Sequence, residues 1–121
     1  MATATQLSSQ EDAFLKQLTA EIAAELGIPL RSVQSALALL DDGNTVPFIA
    51  RYRKEATGGL DEIALRGIED TAERLRALAA RKTTVIKTIE EQGAMTPQLR
   101  RQIEACNDMF ALETLYAPYK P

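Results

Sequence analysis

A chain of 121 residues that is 45% hydrophobic but has no Trp and only 5% aromatics can bury one domain-sized core, and that core must be aliphatic. The absence of His removes imidazole acid–base chemistry and His-ligated metal sites, and a single Cys cannot build a disulfide framework or a zinc site. The net charge of −3 argues against a general nucleic-acid binder, yet residues 1–43 carry six acids and two bases while residues 44–60 carry three bases and one acid.

The opening MATATQLSSQ lacks the basic and apolar regions of a signal peptide, and residues 1–9 read as a flexible tail. Ser8 or Ser9 can cap a helix whose first turn holds Glu11 and Asp12, with Leu15, Leu18, Ile22 and Leu26 as its apolar stripe. Gly27 stops it. After Pro29 a second helix is expected over about 30–42, with Val33, Leu37 and Leu40 on one side, broken by the run Asp41-Asp42-Gly43-Asn44. Asn44 or Thr45 can cap a short third helix with Pro47 in its first turn, where the missing N–H does no harm. Gly58-Gly59 ends that segment. Asp61 then opens the longest periodic stretch of the chain. Its stripe is Leu65, Ile68, Ala72, Leu75, Ala79, Lys82, Ile86 and Ile89, a heptad pattern with one cation in it. A helix to Gln92 would extend on the order of 48 Å at about 1.5 Å per residue. Such a helix is a spine for others, and Lys82 calls for an intramolecular partner in place of a symmetric coiled coil. Gly93 is its natural C-cap. Thr96-Pro97 starts another helix to about Asn107, and Asn107 or Asp108 caps a last one to about Tyr116. The closing APYKP, residues 117–121, reads as extended and as the start of a linker. The expected class is all-α, with the domain body at residues 10–116: a helix-turn-helix-like pair, a long central helix and short C-terminal helices.

Cys106 reads as a buried inert thiol in a reducing compartment, and the default location is the cytoplasm. No apolar run approaches the roughly 18 residues of a membrane span. No catalytic residue, metal site or cofactor is expected: TGGL lacks the P-loop spacing, and the paired carboxylates lie near helix ends or on charged faces.

Residues 22–40 fit the helix-turn-helix spacing, with Ala23 four before Gly27 and Val33 six after it. As a groove reader, the second helix would offer Arg31, Ser32, Gln34 and Ser35. Arg31 is its one cation, beside Glu21, Glu25, Asp41 and Asp42, and phosphate contacts usually supply much of the affinity. Such an acidic surface would repel a duplex, so a helix pair used for packing or protein contact is the favoured reading of the pattern.

The stretch TVPFIARYRKEATGGLDE, residues 45–62, poses the sharper choice. On a helix, Phe48, Ile49 and Tyr52 share an arc of about 100°, with Arg51 and Lys54 on one side of it and Arg53 on the other. In one reading the aromatics bury, Arg51 or Arg53 clamps Asp42 or Asp61, and Pro47, Phe48, Tyr52, Gly58 and Gly59 form a structural corner. In the other, Arg51, Arg53 and Lys54, with Arg31, are candidate phosphate contacts.

NTVPFIARYRKEATGGLDE, with LGIPLRSVQSALALLDDG before it and LETLYAPYKP at the end, resembles the N-terminal region of Tex proteins, bacterial transcription accessory factors. The similarity runs from about residue 10 over nearly the whole chain. Tex proteins are much longer and resemble the core of a eukaryotic transcription elongation factor and histone chaperone. The resemblance implies a helical N-terminal region of a factor that also carries a resolvase-like ribonuclease H-fold domain, helix-hairpin-helix elements and a C-terminal OB-fold RNA-binding domain. This sequence stops before the last three, as an N-terminal piece or a truncated homologue would. The implied partners are therefore the remaining domains, RNA or DNA, and the transcription machinery. The family's nucleic-acid binding is attributed mainly to the OB-fold domain, and no catalytic residue carries over to residues 44–62. Three functions follow as expectations. The first is a helical scaffold and interaction module; the second is direct nucleic-acid binding through residues 51–54; the third is a contribution to an active site completed elsewhere.

Overall fold

The computed structural model describes residues 2–121, with side chains from residue 9 onward. The described residues form seven α-helices and one 3-10 turn, with no strand among them, so the all-α class holds. The chain divides into two compact units, residues 1–73 and 74–121.

The first unit opens with α1, Ala2–Leu26. The helix expected from Ser8 or Ser9 starts instead at Ala2, since ATATQL holds neither Gly nor Pro to stop it. Its end is as expected. Gly27 adopts φ 66° and donates to the Ala23 carbonyl at 2.9 Å, as does Ile28 at 3.2 Å. Both bonds satisfy the carbonyl end of the helix. α2, Leu30–Asp41, follows and packs on α1, burying Val33, Ala36 and Leu37. Asn44 does not cap the next helix. Its side-chain amide donates back to the Leu39 carbonyl at 2.9 Å, closing the turn after α2.

The cap is Thr45, whose hydroxyl accepts the Phe48 N–H at 3.3 Å and starts α3, Val46–Tyr52. Such a cap is worth about 1 kcal/mol. A four-residue helix, α4, Lys54–Thr57, comes next. Both α3 and α4 pack on α2, which makes α2 the centre of this unit. α5, Glu62–Glu91, is capped by the Asp61 carboxylate, which accepts the Ala64 N–H at 2.8 Å. Its beginning buries Leu65, Ile68 and Ala72. Gly67 lies beside α1: a Cβ there would meet Leu26 Cδ1 at 3.5 Å, ordinary contact distance.

The second unit takes the rest of α5 with α6, Pro97–Glu104, and α7, Met109–Tyr116. Thr96 and Asp108 cap these two helices by accepting the Leu99 and Ala111 N–H groups, at 3.0 and 2.7 Å. The core is Leu78, Val85, Ile89, Leu99, Ile103, Cys106, Leu112 and Tyr116. Each fully buried Leu, Ile or Val contributes roughly 1.5–3 kcal/mol. The heptad reading of α5 is corrected here. Leu78 and Val85 form the core line, while Ala79, Lys82 and Ile86 are only partly covered. A strict heptad fixes one line along a helix, whereas each compact unit takes the face its own helices cover. Lys82 has its intramolecular partner: Nζ donates to the Glu104 carbonyl at 2.9 Å, at the end of α6 where carbonyls lack intrahelical donors.

The expectation of an extended 117–121 is also corrected. Ala117–Tyr119 is a 3-10 turn, and only Lys120 beyond it is extended. Pro118 sits in the turn's first positions, where no N–H is needed. The Tyr119 carbonyl accepts from Gln92 Nε2 at 2.6 Å. Cys106 is buried, as read, with Sγ against the Gln102 carbonyl at 3.3 Å.

Candidate functional site

The basic segment is a corner of two short helices. α3 ends because Arg53 leaves helical geometry, at φ −127° and ψ 33°, while its N–H still reaches the Ile49 carbonyl at 2.9 Å. One residue thus serves as C-cap of α3 and N-cap of α4. Thr57 closes the corner from inside. Its side chain is fully buried, its hydroxyl donates to the Lys54 carbonyl at 3.3 Å and accepts the Leu60 N–H at 3.2 Å. Gly58 then turns left-handed at φ 73°, and the Gly59 N–H returns to the Lys54 carbonyl at 2.8 Å. A Cβ on Gly58 would stand 3.0 Å from Ser32 Oγ, so the corner sits tightly on α2. Pro47 lies in the first turn of α3, and Gly58 and Gly59 both take positive φ, 73° and 89°, where the chain leaves α4.

The aromatic pair does not behave as the arc suggested. Of the three residues on it, only Ile49 is buried; Phe48 is 43% and Tyr52 58% exposed. The α3 side that meets its neighbours is Val46 and Ile49, and a seven-residue helix has too few turns to bury a second stripe. Phe48 and Tyr52, one turn apart, pack against each other with centroids 5.1 Å apart and ring planes tilted by 47°. The Arg51 guanidinium lies over the Tyr52 ring at 5.4 Å.

Neither arginine clamps Asp42 or Asp61. Arg53 Nε meets Glu55 at 3.4 Å in an open pair, and Asp61 is the cap of α5. Among the described residues, Arg31, Arg51 and Lys54 form no ion pair. Arg51, Arg53, Lys54 and Arg31 are all exposed. The first three stand together on the corner; Arg31 belongs to α2, one residue before the Ser32 that meets Gly58. That contact bears on groove reading too, because α4 covers part of the α2 face that Ser32 would present.

A second cluster of charges, unforeseen in the sequence, lies in the unit of residues 74–121. Arg81 grips Glu113 with two bonds, Nε at 2.6 Å and Nη2 at 3.2 Å, and Lys120 reaches the same carboxylate at 3.4 Å. Both cations also lie against the buried Tyr116 ring, at 5.2 and 5.9 Å. The hydrogen bond from Arg81, helped by Lys120 and opposed by partial burial, holds the Glu113 carboxyl below its ordinary value; the same bond raises Arg81. The partners are 32 residues apart in sequence, and no local pattern links them.

Among the described residues no helix is long and apolar enough to cross a membrane. Among the described residues no group of three or more His, Cys, Asp or Glu could hold a metal ion.

Comparison with known proteins matches residues 16–90 to the model of the Tex-like protein N-terminal domain. The chain is similar to the transcriptional accessory protein Tex of Neisseria gonorrhoeae, 53% identical over 104 residues, which is 86% of this chain and 14% of that protein. Similarity to the protein tex of Bordetella pertussis is 50% over 105 residues, 87% of this chain and 13% of that one. The human S1 RNA-binding domain-containing protein 1 is 40% identical over 84 residues, 69% of this chain and 8% of the relative. With a family match across most of its length and half its residues shared with the bacterial proteins, the chain belongs to the Tex-like N-terminal domain family.

Proposed function

We propose that this chain is a helical interaction module of a Tex-like transcription accessory factor, acting in the cytoplasm and performing no catalysis of its own. The observation that carries the reading is the α3–α4 corner. It exposes an aromatic pair and three cations with one weak carboxylate contact among them, and is closed from beneath by the buried Thr57. Exposed aromatics next to arginine are typical of protein-contact hot spots. The chain spans 13–14% of its bacterial relatives, and the other domains of such a factor are the proposed neighbours, together with the transcription machinery. The absence of His and the lone buried thiol support a role without chemistry.

The exposed cations favour one second reading: direct binding of nucleic acid through Arg51, Arg53 and Lys54, with Arg31 of α2 as a further candidate. Fluorescence anisotropy of labelled single-stranded RNA and duplex DNA, at low and then moderate salt, separates the two. The module reading expects no tight binding at moderate salt. Tight, salt-dependent binding that disappears in a folded Arg51→Glu, Arg53→Glu, Lys54→Glu variant would replace it with the second.

A further inference from the structure

The same face has a chemistry that narrows its partner, and this step rests on the module reading above. Its positive field is short. α3, α4 and the Arg53 between them cover residues 46–57, with Arg51, Arg53 and Lys54 as the cations and Glu55 already beside Arg53. Extending the stretch to residues 41–62 reverses the sign, since Asp41, Asp42, Glu55, Asp61 and Glu62 then outnumber the three bases. A duplex presents one charge per roughly 1.7 Å and is usually held through several phosphates. Such a long polyanion would meet the flanking acids as well as the cations. A short acidic segment would meet the cations alone. A five-residue extended peptide spans roughly 16 Å at about 3.3 Å per residue. The exposed Phe48–Tyr52 pair adds an apolar platform on which an apolar side chain or an unpaired nucleobase can lie, so the choice between them rests on the short reach of the positive charge.

We infer that the α3–α4 corner docks a short acidic peptide segment of another protein, with one apolar or aromatic side chain laid on the Phe48–Tyr52 pair. Carboxylates of the segment meet Arg51 and Lys54, which form no ion pair among the described residues. The capped, closed corner fixes the backbone before docking, so the ordering cost is confined to the exposed side chains.

The test is a titration of the isotope-labelled chain with a synthetic twelve-residue peptide, Asp and Glu throughout except for two Phe, followed by NMR amide shifts. The expected result is shifts confined to residues 45–59 and a Kd below about 1 mM. Binding weakens by about tenfold in a folded R51E/R53E/K54E variant, as for the loss of close charge pairs. It also weakens several-fold in a folded F48A/Y52A variant. Raising salt from about 0.01 M to about 0.15 M shortens the Debye length from roughly 30 to roughly 8 Å and weakens it further. Equal binding of a control peptide with Asn and Gln for the acids overturns the proposal. So do shifts mapping elsewhere, no shift at about 1 mM peptide, or concentration-dependent self-association that covers the same residues. Single-stranded RNA binding these residues more tightly than the peptide overturns the module reading as well. Failure of the peptide with no RNA binding removes only the acidic partner.

Discussion

The molecule uses an arginine over a tyrosine ring twice, for different ends. In the unit of residues 74–121, Arg81 lies over Tyr116, the ring is almost fully buried, and Glu113 neutralises the guanidinium through two hydrogen bonds. In the unit of residues 1–73, Arg51 lies over Tyr52 at nearly the same distance, yet the ring is largely exposed and no carboxylate joins them. The residue types are shared; the third partner is not. A cation with its carboxylate in place serves the fold, and a cation–aromatic pair left open is available to something outside it.

That contrast can be broken in several ways. The largest effect belongs to Tyr116. Tyr116→Ala empties a buried position and removes the platform of two cations, so it should cost about 3–5 kcal/mol, as large buried aromatics do. Tyr52→Ala should stay within about 0.5 kcal/mol, as surface changes do. Comparable losses in chemical denaturation would erase the distinction. Next comes Gly58→Ala, which forces a side chain into the left-handed region and towards Ser32 Oγ. We expect a loss of about 1–2 kcal/mol. A smaller loss in a Ser32→Ala background would identify the contact as part of the cost.

Glu113→Gln should lower the urea midpoint at neutral pH. The sign of its pH dependence is fixed by the lowered carboxyl. Its contribution is complete above the ordinary glutamate value of 4.5 and fades as pH falls through the lower folded value. The gap between the parent chain and Glu113→Gln should therefore narrow in acid. A gap that persists unchanged at the lowest pH where both fold would show that charge is not its source. The smallest effect is at the open pair: Arg51→Gln should shift stability by less than about 0.5 kcal/mol. A larger destabilisation would make Arg51 a structural residue.

Much of this was legible from local chemistry. Thr45, Asp61, Thr96 and Asp108 start their helices because a short oxygen-bearing side chain meets an orphan N–H, and Gly27, Gly58 and Gly93 end theirs at positive φ. What escaped depends on neighbours. Periodicity placed Phe48 and Tyr52 on an arc with Ile49, but whether an arc is buried is decided by what packs there, and only Ile49 is covered. The choice of Leu78 and Val85 over Ala79 and Ile86 likewise follows from α6 and α7. Arg81 and Glu113 meet across the fold with no spacing rule to announce them. At the site, the sequence groups the three cations by adjacency, but not their partners: Asp61 caps α5, Arg53 meets Glu55, and Arg51 and Lys54 form no ion pair among the described residues.

The closure of the α3–α4 corner also bears on how the chain meets a protease. Arg51, Arg53 and Lys54 are three exposed cleavage positions for trypsin, packed into four residues. A protease must nevertheless thread several residues in extended form, and here the backbone is tied by the Thr45 cap, the Thr57 hydroxyl and the Gly59 return bond. Cutting therefore waits for local opening, and the cleavage rate under native conditions reports the opening free energy of that corner.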